Sequence, residues 1–311
     1  MLTFVIYVEF QKKLPKVWHG KVKVIVAGAS GFIGSNLCNT LAKNGHEVLA
    51  LYRTNSKRTS FPLQLNSVLI DSAIDIDSLN RACSSFDADF VVNAAGDWRV
   101  SQAEENVDKI VQANVEFPLV LANLALEKGC NFVTLSSFWQ LEDSDLHKVS
   151  NCYTESKINF ENLIDNLVSE QGLKATSIYL YDNYGLNDSR DKIVDQLISR
   201  GSHSKPIKLS DPSRYLNLLH ISDVINGIIT YTLTDLKTRK LEISCNEVVS
   251  LGYLVSIVEE CLEASLSIEW ESISQDWEPF RKHNSTLKRP EGWEPKVDLR
   301  SGIEGLVKRK K

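Results

Sequence analysis

The sequence predicts an α/β fold, a doubly wound parallel sheet with a smaller C-terminal lobe. Three observations carry that expectation. Val22, Val24, Ile25 and Val26 form a short β-branched run, the pattern of a strand buried on both faces. The run ends in Gly28-Ala29-Ser30-Gly31-Phe32-Ile33-Gly34, and an apolar helical pattern (Leu37, Leu41) follows. Strand-like and helix-like stretches then alternate as far as residue 185, after which the pattern is less regular.

The glycines of the first turn have separate physical tasks. One permits a sharp turn off the strand, one lets backbone touch a pyrophosphate, and one lets the helix pack close to the sheet. Phosphates then meet the N–H groups that a helix N-terminus leaves without intrahelical partners. Gly28, Ser30, Gly31, Phe32, Ile33 and Gly34 are therefore expected to hold a dinucleotide.

The next strand, 47–52, follows Gly45 at a helix C-terminus and ends in Tyr52-Arg53-Thr54, with Lys57 and Arg58 close behind. An NAD site wants a carboxylate there, to accept from the ribose 2′-hydroxyl. Cations suit a 2′-phosphate, so NADP(H) is expected ahead of NAD(H), with Arg53 as its contact. A strand at 68–70 runs into Asp71, an adenine-edge contact or a helix-cap acid. After a helix at 76–84 and a strand at 90–93 come Ala94, Ala95 and Gly96, small enough for close backbone approach to a ligand.

Residues 103–128 carry a helical stripe, which Pro118 is expected to bend. Asn114 lies on that stripe. A buried amide must be hydrogen-bonded, so it either ties helices together or serves a site. A strand at 131–135 leads to Ser136-Ser137, at the strand end where α/β sheets place chemistry. Sixteen residues past Ser137 comes Tyr153-Thr154-Glu155-Ser156-Lys157. Its Tyr and Lys, at i and i+4, share one helix face.

At 311 residues and 43% apolar, the chain can bury a sizeable core. A net charge of −5 gives no reason to expect nucleic-acid binding, and the basic run at 308–311 reads as a solvated tail. The six cysteines (Cys38, Cys83, Cys130, Cys152, Cys245, Cys261) lack CxxC spacing and read as reduced thiols of a cytoplasmic protein without a metal site. Residues 1–20 are apolar for only about eight residues, a poor signal peptide and too short to span a membrane. They read as a leader, either an extra strand or a frayed end.

Together, GASGFIG (28–34), NAAG (93–96), Asn114, NFVTLSS (131–137) and YTESK (153–157) resemble the extended short-chain dehydrogenase/reductase family of nucleotide-sugar epimerases, dehydratases and ketoreductases. LYDNYG (180–185), LNLLHISDV (216–224) and GWEPKVDLRSGI (292–303) extend the likeness to the C-terminus, and SSFWQ (136–140) resembles a subgroup acting on CDP-linked deoxysugars. The resemblance implies a dinucleotide domain at 21–185 and a lobe at 186–311 for a nucleotide-linked sugar, with about 216–245 returning to the first domain. It implies Tyr153 as general acid/base, Lys157 beside it, Ser137 on the substrate oxygen, and Asn114 ordering water near the lysine. A phenol of pKa about 10 transfers protons poorly at neutral pH, and an ammonium some 4–6 Å away is expected to lower it by about 1–3 units. Dehydratases of the family carry Asp-Glu after the active-site Ser/Thr, where this chain has Phe138-Trp139.

An NADPH-dependent reduction of a 4-keto nucleotide sugar is therefore expected. An epimerase, or a dinucleotide-sensing protein without turnover, are the competing readings. Trp98 and Trp139 are candidate walls of the sugar pocket, Asn183 a sugar contact, and Arg190 and Arg214 candidate diphosphate ligands. His220 reads as structural. Helices at 103–128 and 153–170 are the candidate surface for a homodimer.

Overall fold

A computed structural model describes residues 20–53, 66–70, 76–99, 104–141, 151–200, 206–232, 239–271 and 285–310. Nearly all of the expected leader, and Asp71, lie outside the described residues.

Seven parallel strands form the main sheet: β1 (Lys23–Ala27), β2 (Glu47–Arg53), β3 (Asn66–Ile70), β4 (Phe90–Asn93), β5 (Asn131–Ser137), β6 (Ala175–Leu180) and, far along the chain, Lys240–Ile243. The spatial order is β3-β2-β1-β4-β5-β6 with Lys240–Ile243 at the edge, so the winding reverses between β1 and β4. A reversal of this kind leaves a crevice beyond the C-terminal strand ends. The β1 sequence shows why the sheet is buried on both faces. Val24 and Val26 belong to one core cluster and Ile25 and Ala27 to the other, as period-2 alternation requires.

Helix α1 (Phe32–Lys43) packs Leu37 and Leu41 into the first cluster. The second cluster takes Leu79 of α2 (Ile76–Cys83). The helix expected over 103–128 is three pieces: α3 (Glu104–Val111), a π-helical turn (Gln112–Glu116) and α4 (Phe117–Lys128). Pro118 stands in the first turn of α4. Having no N–H, it leaves the carbonyl one turn back without a helical donor. The wide turn absorbs the mismatch, with the Phe117 N–H donating to the Gln112 carbonyl. The same turn carries Asn114, fully buried.

Helix α5 (Cys152–Gln171) is capped by Asn151, whose Oδ1 accepts from the Thr154 N–H at 2.9 Å. Strand β7 (Asp182–Tyr184) and helix α6 (Ile193–Arg200) then lead out of the sheet. They are followed by β8 (Ile207–Leu209), β9 (Tyr215–Leu216) and β10 (Leu218–His220), the last pairing with β7. Helix α7 (Ile221–Thr232) brings the chain back onto the first cluster through Val224, Ile225 and Ile228, and the edge strand β11 (Lys240–Ile243) follows. The remaining elements are β12 (Val249–Ser250), α8 (Leu251–Leu262), β13 (Ile268–Trp270) and α9 (Leu299–Lys310). A third core cluster gathers Leu197, Leu254, Val258 and Ile303 into a separate lobe. Among the described residues no helix is long and apolar enough to cross a membrane.

The glycine turn is built by close contact. Gly28 has φ +74°, and a Cβ there would lie 2.6 Å from the Ala95 nitrogen. A Cβ on Gly34 would lie 2.2 Å from the Gly28 carbonyl oxygen. Both obstacles are backbone, which cannot swing aside. Gly34→Ala is expected to destabilise the fold by about 2 kcal/mol or more, read as a lowered midpoint in urea denaturation.

Candidate active site

The crevice beyond β1, β4, β5 and β6 is a cavity of about 340 Å³, lined among others by Gly31, Ala94, Ser137, Tyr153 and Lys157. Ser137 is the last residue of β5, and Tyr153 and Lys157 occupy the first turns of α5. A short 3-10 turn (Phe138–Gln140) locks strand to helix. The Gln140 side chain accepts from the Ser137 N–H at 2.8 Å and donates to the Lys157 carbonyl at 3.1 Å. The Ser137 hydroxyl accepts from the Trp139 N–H at 3.3 Å, completing a capping box. Gln140 was not among the expected site residues, although its place three after a serine is the capping-box spacing.

Lys157 is buried and donates to the Leu135 carbonyl at 3.1 Å. Burial pushes its pKa down to about 8, against the pull of Glu161. Tyr153 departs from expectation. Burial raises its phenol, while the Ser137 hydroxyl bonded to it and the charge of Arg190 work the other way. Desolvation of a phenolate outweighs these two, and the lowering expected from Lys157 is not among the influences on the phenol.

Asn114 is a tie between elements. Its Oδ1 accepts from the Asp97 N–H at 2.7 Å, and its Nδ2 donates to the Asp97 carbonyl at 2.9 Å and to Ser156 Oγ at 3.0 Å. It thus joins the loop after β4 to α5. A Cβ on Gly96 would meet Asn114 Oδ1 at 3.2 Å and Lys157 Nζ at 3.6 Å, so the tie borders the lysine.

The residues present fit a dinucleotide. Gly31 opens α1 with no side-chain cap and no acid in the first turn, leaving its N-terminal N–H groups to the cavity that Gly31, Phe32 and Ile33 line. Ala94, Ala95 and Gly96 line the same cavity. Gly28, Ser30 and Gly34 shape the turn behind it. Arg53 is exposed at the end of β2. Burial alone would raise Asp97, but hydrogen bonds and charge from Arg99, with Arg53 beyond, hold its carboxyl below the usual range.

The other half of the cavity is aromatic and charged. Trp139 meets the Tyr153 ring edge-on at 5.9 Å, and Phe138 stacks on Tyr181 at 4.9 Å. Trp98 is 47% exposed, with the Lys192 ammonium 4.4 Å above its ring, a contact between distant loops that no local pattern announces. Asn183 and Arg190 line the cavity. The Arg190 guanidinium bonds Asp188 at 2.6 Å and Asn183 Oδ1 at 2.7 Å and lies over the Phe32 ring, so its donors are turned to protein partners. Arg214 is not among the described residues lining the cavity; it sits behind the wall, its charge acting on Asp182. Asp182 itself lines the cavity, and burial raises its pKa against Arg214, Lys192 and Arg190.

A parallel sheet with its reversal at a glycine turn, and Ser, Tyr and Lys converging in the crevice, defines an enzyme of the extended short-chain dehydrogenase/reductase type. The chain belongs to the NAD dependent epimerase/dehydratase family, whose model matches residues 24–243. The CDP-abequose synthase of Yersinia pseudotuberculosis is 29% identical over 219 residues, 69% of this chain and 74% of the relative. That of Salmonella typhimurium is 26% identical over 309 residues, 93% of this chain and 98% of the relative. The UDP-glucose 4-epimerase of Thermus thermophilus, solved with NAD, superposes with a TM-score of 0.75 at 19% identity, over 92% of this chain and 98% of the other.

Two measurements follow from these contacts. Asn114→Ala removes two half-buried bonds to the Asp97 backbone and the buried one to Ser156, and is expected to cost about 1–3 kcal/mol in all, read by urea denaturation. His220 lies outside the cavity lining, its Nδ1 2.7 Å from Ser222 Oγ. Burial, then the Arg309 charge, lowers it from 6.5 to about 4. The unfolded chain therefore binds the proton first, so stability is lost as pH falls from about 6.5 towards 4. His220→Gln is expected to flatten that part of a stability–pH curve.

Proposed function

We propose that this enzyme reduces a 4-keto group on a nucleotide-linked sugar with NADPH. The observation that carries the reading is the wall next to Ser137. Phe138 and Trp139 line the cavity where an elimination would need an acid and a base, which leaves Tyr153 as the proton carrier beside Ser137. The near full-length likeness to a CDP-abequose synthase supports a sugar of that class.

The residues would act as follows. Tyr153, kept protonated by burial, gives its Oη proton to the carbonyl oxygen, and Ser137 Oγ donates to the same oxygen as charge grows there. Lys157 holds the nicotinamide ribose hydroxyls and keeps its charge up to about pH 8. Backbone at 31–33 holds the pyrophosphate, and Arg53 the 2′-phosphate. Bound NADPH supplies the hydride. Trp98, Trp139 and Asn183 form the sugar's walls, and the lobe around the third core cluster holds the nucleotide. We place the reaction in the cytoplasm, where its free cysteines stay reduced.

The test is NADPH consumption, followed by absorbance, over a panel of nucleotide-linked 4-keto-6-deoxyhexoses. Wild type is expected to oxidise NADPH with at least one member, and Tyr153→Phe to lose about 100-fold or more. Tightly held NAD with no net oxidation would replace this reading with epimerisation. For the cofactor, Arg53→Ala is expected to raise KM for NADPH about tenfold or more, the loss of a charge-assisted hydrogen bond, while KM for NADH stays put. Equal effects on both would remove the 2′-phosphate contact.

A further inference from the structure

One turn beyond Lys157 on α5 stands Glu161, a carboxylate only 5% exposed that lies outside the cavity lining. A carboxylate so deep is tolerated only when its charge is matched and its oxygens are bonded. Both conditions are met. Oε1 accepts from Ser177 Oγ at 3.0 Å and from Arg239 Nη2 at 3.2 Å, with Lys240 Nζ at 3.3 Å. Oε2 accepts from Ser136 Oγ at 3.4 Å. Ser136 directly precedes Ser137 on β5, Ser177 is on β6, Lys240 opens β11 and Arg239 directly precedes it. Four elements therefore meet at one carboxylate under the active site.

We propose that Glu161 is a positioning residue that holds Lys157 in its charged form, with Arg239 setting how much of the carboxylate's field reaches the lysine. The inference rests on the reading of Lys157 as the charged partner of the dinucleotide. Lys157 shares its buried helix face with Glu161, and its bonded partner, the Leu135 carbonyl, carries no net charge. The other charged or titratable groups toward the lysine are Tyr153 on its own helix and, across the cavity, Asp97, Asp182, Arg190 and Lys192. Around Glu161 stand Asp165 on α5, Tyr179 on β6, Lys240 on β11 and Arg239 just before it. Asp165 bonds Arg239 at 2.6 Å and Lys240 at 3.1 Å, sharing the two cations so that they do not cancel Glu161 alone. Glu161 opposes the loss of charge that burial imposes on Lys157. Such a field between buried groups is little screened by salt.

The geometry gives two substitutions opposite signs. Glu161→Gln removes the negative charge and keeps the shape, so Lys157 should lose its proton at lower pH. Arg239→Gln removes a positive charge while Lys240 and the two serines keep Glu161 ionised, so Lys157 should lose its proton at higher pH. The full chain, labelled with 13C at the lysine Cε, is titrated by NMR, with the Lys157 signal assigned by its absence in Lys157→Arg. A midpoint lowered by about one pH unit in Glu161→Gln, the size of a lost ion-pair partner, and raised in Arg239→Gln supports the proposal. An unmoved midpoint in Glu161→Gln, or shifts of the same sign in both, overturns it. If Glu161→Gln does not fold, Arg239→Gln decides alone, and a midpoint unmoved or lowered overturns the proposal. The titration needs no substrate or dinucleotide. A protein that never consumes NADPH can still show the coupling, and an active reductase can still lack it.

Discussion

The junction between the end of β5 and the start of α5 is the constraint on which the active site depends. A serine at a strand end and a tyrosine in a helix have no covalent reason to hold a fixed separation. Gln140 supplies one, spanning from the Ser137 N–H to the Lys157 carbonyl with both ends of a single amide. Asn114 does the same on the other side, joining the loop after β4 to Ser156. Each amide is bonded to partners on two elements, so neither element can shift without breaking a hydrogen bond. Preorganisation of this kind lets the site stabilise charge without rearranging at the moment of reaction.

Much of the parallel sheet and its glycine turn was legible in the sequence because their signals are local. The glycine spacing, the β-branched run before it and the small residues after β4 each follow from steric rules acting over a few positions. The Tyr153 and Lys157 pairing is equally local, one helical turn. What the sequence concealed was set by distance and burial. The sign of the shift at Tyr153 depends on how dry the cavity is, which no spacing states. The Trp98–Lys192 contact and the capture of Arg190 by Asp188 and Asn183 depend on two loops meeting across the cleft. The π-helical turn before Pro118 was half legible. Proline announced a disturbance, but that it is absorbed as a widened turn, with the Phe117 N–H reaching back to the Gln112 carbonyl, is not written in the spacing.

The cavity divides by character as well as by position. On the dinucleotide side its wall is mainly small residues and backbone, suited to a long ligand that must lie close to the protein. On the opposite side Phe138, Trp139, Tyr181 and Trp98 present ring faces and edges, with Lys192, Arg190 and Asp182 set among them. Rings make shape-selective walls because they have few rotamers to freeze. Among these charges Arg190 acts on the Tyr153 phenol, favouring its ionised form against burial.

The return of the chain through α7 and β11 has a consequence for how the molecule could be divided. Trp293 donates to the Asp223 carbonyl at 3.2 Å and belongs to the first core cluster. The Lys288 carbonyl accepts from the Glu242 N–H at 3.0 Å. The sheet is thus completed by segments on both sides of the lobe's main elements. A fragment ending near residue 185 would lack an edge strand and the helix that covers one face. The nucleotide half is continuous in space but interrupted in the chain. The lobe is interrupted likewise, since α8 follows β11 and α9 follows Trp293, so sheet and lobe are each assembled from alternating stretches of the chain.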